Sequence, residues 1–195
     1  MTALAFADPV FGAQAAFRRI LRAMSSPGLI VACGETLAPP PPLCPAAAAA
    51  LLTLADFETP VWLAPSFAGS EARAYLAFHT GAPIAAAPDK ADFALVALDV
   101  DPLDLASFAP GTLEYPDRST TIVAQARSLS PAGGFKVSGP GVRGERAFAF
   151  EPAPAEFLEA WSANRARFPL GVDLIFAAGG EIAALPRSAI LSGGA

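Results

Sequence analysis

Phe93-Ala94-Leu95-Val96-Ala97-Leu98-Asp99 is the stretch on which the fold turns. Short and almost wholly apolar, it suits a strand buried on both faces of a sheet, and it predicts a strand at the sheet's centre. Working upstream, Asp8-Pro9 supplies an N-cap and a proline at the first helical position, after which Val10, Phe17, Ile20, Leu21 and Met24 recur at helical spacing. Ser25-Ser26-Pro27-Gly28 stops that helix before a short strand over Leu29–Cys33. The proline run 39–42 reads as an extended surface loop, residues 46–55 as a buried alanine-rich helix, and Pro60–Ala64 as a strand. Ser70 and Gly81 bracket a further helix through Phe78.

Downstream, Ser119–Ala126, Phe135–Ser138 and Ala147–Phe150 are strand-like, and Pro154–Arg165 restores a helical period. Val172–Phe176, Gly179-Gly180 and Glu181–Leu185 spell a hairpin with a primed turn. Helices alternate with strands in the first half and strands cluster in the second. The expected class is α/β, a mixed sheet with helices on both faces, in one domain over 1–195.

Composition narrows the function. A net charge of −5 with scattered cations leaves no basic footprint for nucleic acid. The most apolar run, Ala46–Ala55, is about half the ~20 residues that a membrane-spanning helix needs. Asp8 and Arg18 interrupt any signal-peptide core, so a cytoplasmic protein is expected. Hydrophobic residues at 53% against 16% charged predict a self-association surface, and hence a homodimer. Cys33 and Cys44 form no metal-ligand spacing and read as reduced, inert thiols.

No self-contained catalytic set emerges. Gly139-Pro140-Gly141-Val142-Arg143-Gly144 matches GxGxxG, but Glu145–Phe150 continues as a strand where a dinucleotide site needs a helix, so it reads as a turn. His79, the chain's one histidine, falls at a helix end where it can cap, and no GxSxG elbow accompanies it. Asp99, Asp101 and Asp104 follow the central strand as a candidate magnesium or ligand cluster, or as ordinary helix caps. Pyridoxal phosphate would need Lys90 or Lys136, one in a polar turn and the other beginning a strand. More distinctive are Tyr115–Thr121, Phe168–Asp173 and Pro186-Arg187-Ser188, rigid turns carrying charge. Arg118 and Arg187 could form phosphate forks oriented by Asp117 and Asp173, or Arg–Asp pairs could brace two loops.

Taken in order, the chain's motifs resemble the H subunit of the bacterial carbon–phosphorus lyase system, the PhnH family of phosphonate breakdown. The resemblance rests on Asp8-Pro9-Val10-Phe11, Gln14, Phe17-Arg18, Ala23-Met24, Pro27-Gly28 and Asp56–Pro60. It continues through His79-Thr80-Gly81, Pro116–Ser119, Gly139–Gly141, Phe168–Asp173 and Pro186-Arg187. Gly12, Ser188-Ala189 and the proline run 39–42 depart from the family pattern. The resemblance implies a homodimer folded like pyridoxal-phosphate-dependent transferases but without that cofactor, in association with the G, I and J subunits. It further implies service to the step that joins methylphosphonate to ATP with release of adenine, giving α-D-ribose 1-methylphosphonate 5-triphosphate. Cleavage of the carbon–phosphorus bond then belongs to the J subunit, with its iron–sulfur cluster and S-adenosylmethionine. Two rivals stay open: a standalone nucleotide- or sugar-phosphate-binding module, and a pyridoxal enzyme using Lys136.

Overall fold

The Phe93 run folds as β3 (Phe93–Ala97), held between two parallel neighbours, β2 (Val61–Leu63) and β4 (Thr121–Gln125), both in register from Phe93. The structure is a computed structural model that describes residues 5–193, so both ends of the expected 1–195 domain lie outside the described residues. Beyond β4 come β7 (Asp173–Ala178), parallel to it, then antiparallel β8 (Glu181–Leu185), and at the edge β1 (Val31–Ala32). The six-stranded order is β1-β8-β7-β4-β3-β2. β3 is therefore interior, but β7 and β4 are the middle pair: the hairpin returns β8 into the same sheet, and β1 adds to it. Gly179 takes φ 53°, the left-handed value that a primed turn requires at its first position.

The expectation that the later strands join this sheet is corrected. β5 (Ser128–Ser138), β6 (Arg146–Glu151) and β9 (Ile190–Gly193) make a separate antiparallel sheet ordered β6-β5-β9. Their burial alternates along Phe135–Val137 and Phe148–Phe150, the pattern of strands with one face wet. The dry face packs rings on the main sheet: Phe176 of β7 lies 4.3 Å from Phe150 and 5.4 Å from Phe148, centroid to centroid. Helix α5 (Phe157–Ala166) joins this layer through Phe157, 4.9 Å from Phe150, while the indole Nε1 of buried Trp161 donates to the Ala189 carbonyl at 3.0 Å.

On the main sheet's other face, α2 (Pro45–Leu54) crosses β4, β7 and β8 beside α1 (Pro9–Ser25) and α4 (Glu71–Thr80). Ala46–Leu51 are all buried, and the short side chains let the helix backbone sit close to the strands. A Cβ at Gly34 would fall 2.4 Å from the Pro45 carbonyl oxygen, so the approach to α2 demands glycine.

Local signals fix most boundaries. The Asp8 carboxylate caps α1 through the Val10 and Phe11 amides at 3.0 and 2.9 Å, and Gly81 ends α4 at φ 70°. The strand expected over Leu29–Cys33 shrinks to Val31–Ala32, because the Leu29 amide turns back to Ser26. A four-residue helix, α3 (Pro65–Ala68), precedes α4, and the Ser70 hydroxyl bonds the Phe67 carbonyl instead of capping α4. Along α1 the buried stripe is Ala16, Ile20 and Ala23, whereas Val10, Phe17 and Leu21 face outward.

Candidate functional site

The three charged turns meet at one place. The 111–118 loop closes with reciprocal Thr112–Tyr115 backbone bonds of 3.1 Å, and Pro110 bridges Ser119 at its base. The Gly171 amide donates to the Pro110 carbonyl at 2.9 Å and ties the turn after α5 to that loop. Buried Asn164 steadies the same turn, its amide exchanging hydrogen bonds of 2.9 and 2.8 Å with the Val172 backbone. The register pairing Leu174 with Leu185 then brings the residues after β8 beside the start of β7.

Arg187 holds the junction. Its Nε donates to Asp173 Oδ1 at 3.1 Å, one Nη2 bond goes to Asp173 Oδ2 and another to Ser119 Oγ, and Nη1 reaches the Pro116 and Pro169 carbonyls at 2.7 and 3.4 Å. The Arg187 backbone amide also donates to Asp173 Oδ1 at 2.7 Å. A guanidinium has five N–H donors, and all five are engaged within the chain. Both charged side chains are only 13% exposed. In this geometry every guanidinium N–H of Arg187 is spent within the chain, and the Arg187–Asp173 pair spans two loops. Arg118 and Asp117 are exposed: the Arg118 guanidinium lies 4.1 Å above the Tyr115 ring, and Asp117 makes no ion pair among the described residues. Leu113 and Phe168 are also exposed on these turns, so the clasp presents a fixed apolar and cationic surface.

This junction sits at the amino ends of parallel strands β4 and β7, whereas open α/β sheets bind ligands at the carboxyl ends. There the Gln125 amide grips the Pro42 carbonyl and the Cys44 amide, both at 2.8 Å, and the first amides of α2 are taken by Gly179 O and Cys44 Sγ. The start of α2 thus offers no free anion site. An open cleft of about 570 Å³ remains beside it, its charged lining being Glu35, Glu181 and Arg127.

The other candidates do not assemble a centre. The GxGxxG segment is the β5–β6 turn, and a Cβ at Gly141 would fall 2.1 Å from the Ser25 carbonyl oxygen. His79 ends α4 edge-on to Tyr75 and Phe78. The aspartates disperse: Asp101 binds the Ser66 hydroxyl and amide at the start of α3, correcting its expected role as cap of the segment after it, and Asp104 caps the Ala106 amide at 3.0 Å. No group of three or more metal-binding side chains occurs among the described residues. Lys90 and Lys136 are solvated and paired with Asp89 and Glu145, outside the cleft, so neither fits the Schiff-base position that pyridoxal phosphate requires. Burial pushes the Cys33 thiol up to about 11 and the Cys44 thiol upward too, which keeps both protonated at neutral pH. No described helix is long and apolar enough to cross a membrane. Asn164 and Gln125 escaped the sequence reading; the available signal was a lone carboxamide in an otherwise apolar or charged context.

The family model described as bacterial phosphonate metabolism protein (PhnH) matches residues 4–192. A Rhizobium meliloti (strain 1021) relative, alpha-D-ribose 1-methylphosphonate 5-triphosphate synthase subunit PhnH, is 42% identical over 184 residues, 94% of this chain and 92% of the relative. HtxG of Stutzerimonas stutzeri, named for a C-P lyase subunit, is 30% identical over 179 residues, 90% of this chain and 83% of that protein. With its motifs in order and the match spanning nearly all of it, the chain belongs to the PhnH family.

Proposed function

We propose that this chain is an organising subunit of a carbon–phosphorus lyase complex, serving the step that forms α-D-ribose 1-methylphosphonate 5-triphosphate from ATP and methylphosphonate with release of adenine. The observation that carries the reading is the clasp. The turns that distinguish the sequence spend their polar groups on one another through Arg187 and leave Leu113, Tyr115, Arg118 and Phe168 displayed at the surface. A rigid display with aromatic and arginine side chains suits protein contact better than turnover. Within the proposal the chain is a cytoplasmic homodimer, works with the G, I and J subunits, and carries no cofactor of its own. The likeness to cofactor-free pyridoxal-transferase folds belongs to the same proposal, supported by the run of parallel strands β2, β3, β4 and β7.

Genetic complementation tests it. Deleting the gene should abolish growth on methylphosphonate as phosphorus source, and Arg118→Ala should restore less growth than wild type at equal protein level. Unimpaired growth of the deletion strain sinks the proposal. ATP titrated onto the isolated chain separates the nucleotide-module rival, which needs micromolar binding without partners.

A further inference from the structure

Helix α1 is amphipathic in an unusual sense, because four of its bulky apolar side chains, Val10, Phe11, Phe17 and Leu21, face away from the core. Val10, Phe17 and Leu21 recur at seven and four residues, which places them on one line of the helix, and they are 74%, 49% and 56% exposed. The opposite side, Ala16, Ile20 and Ala23, is what the protein buries. Phe11 adds 69% exposure near the N-terminal end. Together these side chains leave on the order of 400 Å² of apolar surface, within the range of the largest patch on a typical monomer and about half of what one partner gives to a standard interface.

Charge identifies the occupant. Arg18 and Arg22, one turn apart, border the apolar line along one flank, are exposed, and make no ion pair among the described residues. From Pro9 to Ser25 the helix holds three arginines and no carboxylate, in a chain whose net charge is −5. A second copy of α1 packed on this face would match the apolar line but offer its cations no acid. We infer that α1 docks, through Val10, Phe17 and Leu21, into an apolar groove rimmed by carboxylates on a different subunit of the complex, with Arg18 and Arg22 paired to that rim. This rests on the chain being a complex subunit, as proposed above.

The test titrates the purified chain onto the co-expressed G, I and J subunits by biolayer interferometry, using wild type, Phe17→Ser/Leu21→Ser, Arg18→Glu/Arg22→Glu and Arg18→Lys/Arg22→Lys. All substitutions are at exposed positions, and melting within a few degrees of wild type checks the fold. The expected result is a loss of at least tenfold in affinity for the serine and glutamate pairs, with the lysine pair close to wild type. The glutamate deficit should narrow as salt rises from about 0.05 to about 0.5 M. If wild type itself fails to bind, the complex reading falls and this inference with it. If wild type binds and both damaging variants bind equally well, α1 is not the docking face although the complex reading stands. The inference is also overturned if the serine pair converts the isolated chain from dimer to monomer, making the occupant a second copy. It is equally overturned if only sedimentation with phosphatidylserine vesicles responds, making the occupant a membrane.

Discussion

Replacing Arg187 with alanine asks whether the clasp is architecture or chemistry. In the native protein the Asp173 carboxylate receives Nε and Nη2 of Arg187 along with the Arg187 backbone amide. Removing the guanidinium leaves that carboxylate, 13% exposed, with the Arg187 backbone amide as its remaining donor, and frees the Ser119 hydroxyl and the Pro116 and Pro169 carbonyls. Breaking one side of a buried ion pair costs roughly 3–5 kcal/mol; the Pro169 contact lies at the surface where water can replace it, which points to the lower end, about 3 kcal/mol. At ~2–4 °C per kcal/mol for a chain of this size, the melting temperature should fall by roughly 6–12 °C. Circular dichroism melts at neutral pH measure it, and a cycle with Asp173→Ala separates coupling from truncation, since the double variant should melt well above the sum of the single losses. Arg187→Lys should recover only part, because an ammonium cannot span five acceptor directions. A melting temperature within about 2 °C of wild type, together with a collapse in activity of the assembled complex, would refute the clasp and return Arg187 to a ligand-binding role.

Three further outcomes follow from particular contacts. Gly141→Ala must place a Cβ 2.1 Å from the Ser25 carbonyl at φ 83°, so it should lose roughly 2–4 kcal/mol by urea titration, while Gly144→Ala, at φ 72° with open space, should lose about 1 kcal/mol. Cys33 has a thiol raised to about 11 in the folded protein from an ordinary 9.0, so its protonated form is favoured on folding. That stabilisation is complete below pH 9 and lost as pH rises toward 11; the fall in denaturation midpoint across this window should flatten in Cys33→Ala, and an unchanged slope would contradict burial as the cause. Lys136→Ala should shift the melting temperature by no more than about 1 °C and leave the visible spectrum blank after incubation with pyridoxal phosphate, since its ion pair with Glu145 is solvated. An aldimine band lost in the variant would revive the enzyme reading.

What could be read from the sequence was what neighbouring residues decide among themselves. Asp8-Pro9 starts α1 and Gly81 ends α4 because capping and left-handed geometry are settled within one turn of chain. The Phe93 run announced a strand covered on both sides, but not its place in the order, since that depends on where β8 and β1 pair. The division into two sheets was equally hidden: strand patterning states which face is dry, and only the rings of Phe148, Phe150 and Phe176 meeting in space say what dries it. Each rigid turn of the candidate site was legible by itself, whereas their union required the antiparallel return that carries Arg187 back to Asp173. Helix α1 misleads for a related reason. Apolar residues at helical spacing imply a covered face, and the covered face here is the alanine stripe that makes close packing on α2 and β8 possible.

The two ends of the parallel strands are finished in ways that bear on the division of labour within the proposed complex. At the carboxyl ends, where this architecture ordinarily receives phosphorylated ligands, Gly179 and Cys44 occupy the first amides of α2, and the adjoining cleft sets Glu35 and Glu181 against a single Arg127. A triphosphate meeting that lining gains one cation and opposes two carboxylates, so its binding there is disfavoured by charge before any contact is made. At the amino ends the cations are of two kinds, Arg187 consumed in holding turns together and Arg118 left on display over Tyr115. Add the outward arginines of α1, and Arg18, Arg22 and Arg118 form a set of exposed cations with exposed apolar side chains beside them. Exposed arginines beside aromatic and aliphatic side chains suit protein contact, whereas a small polyanion calls for an enclosing pocket with converging cations, which is why the assembly reading accounts for more of the molecule than a nucleotide-binding one.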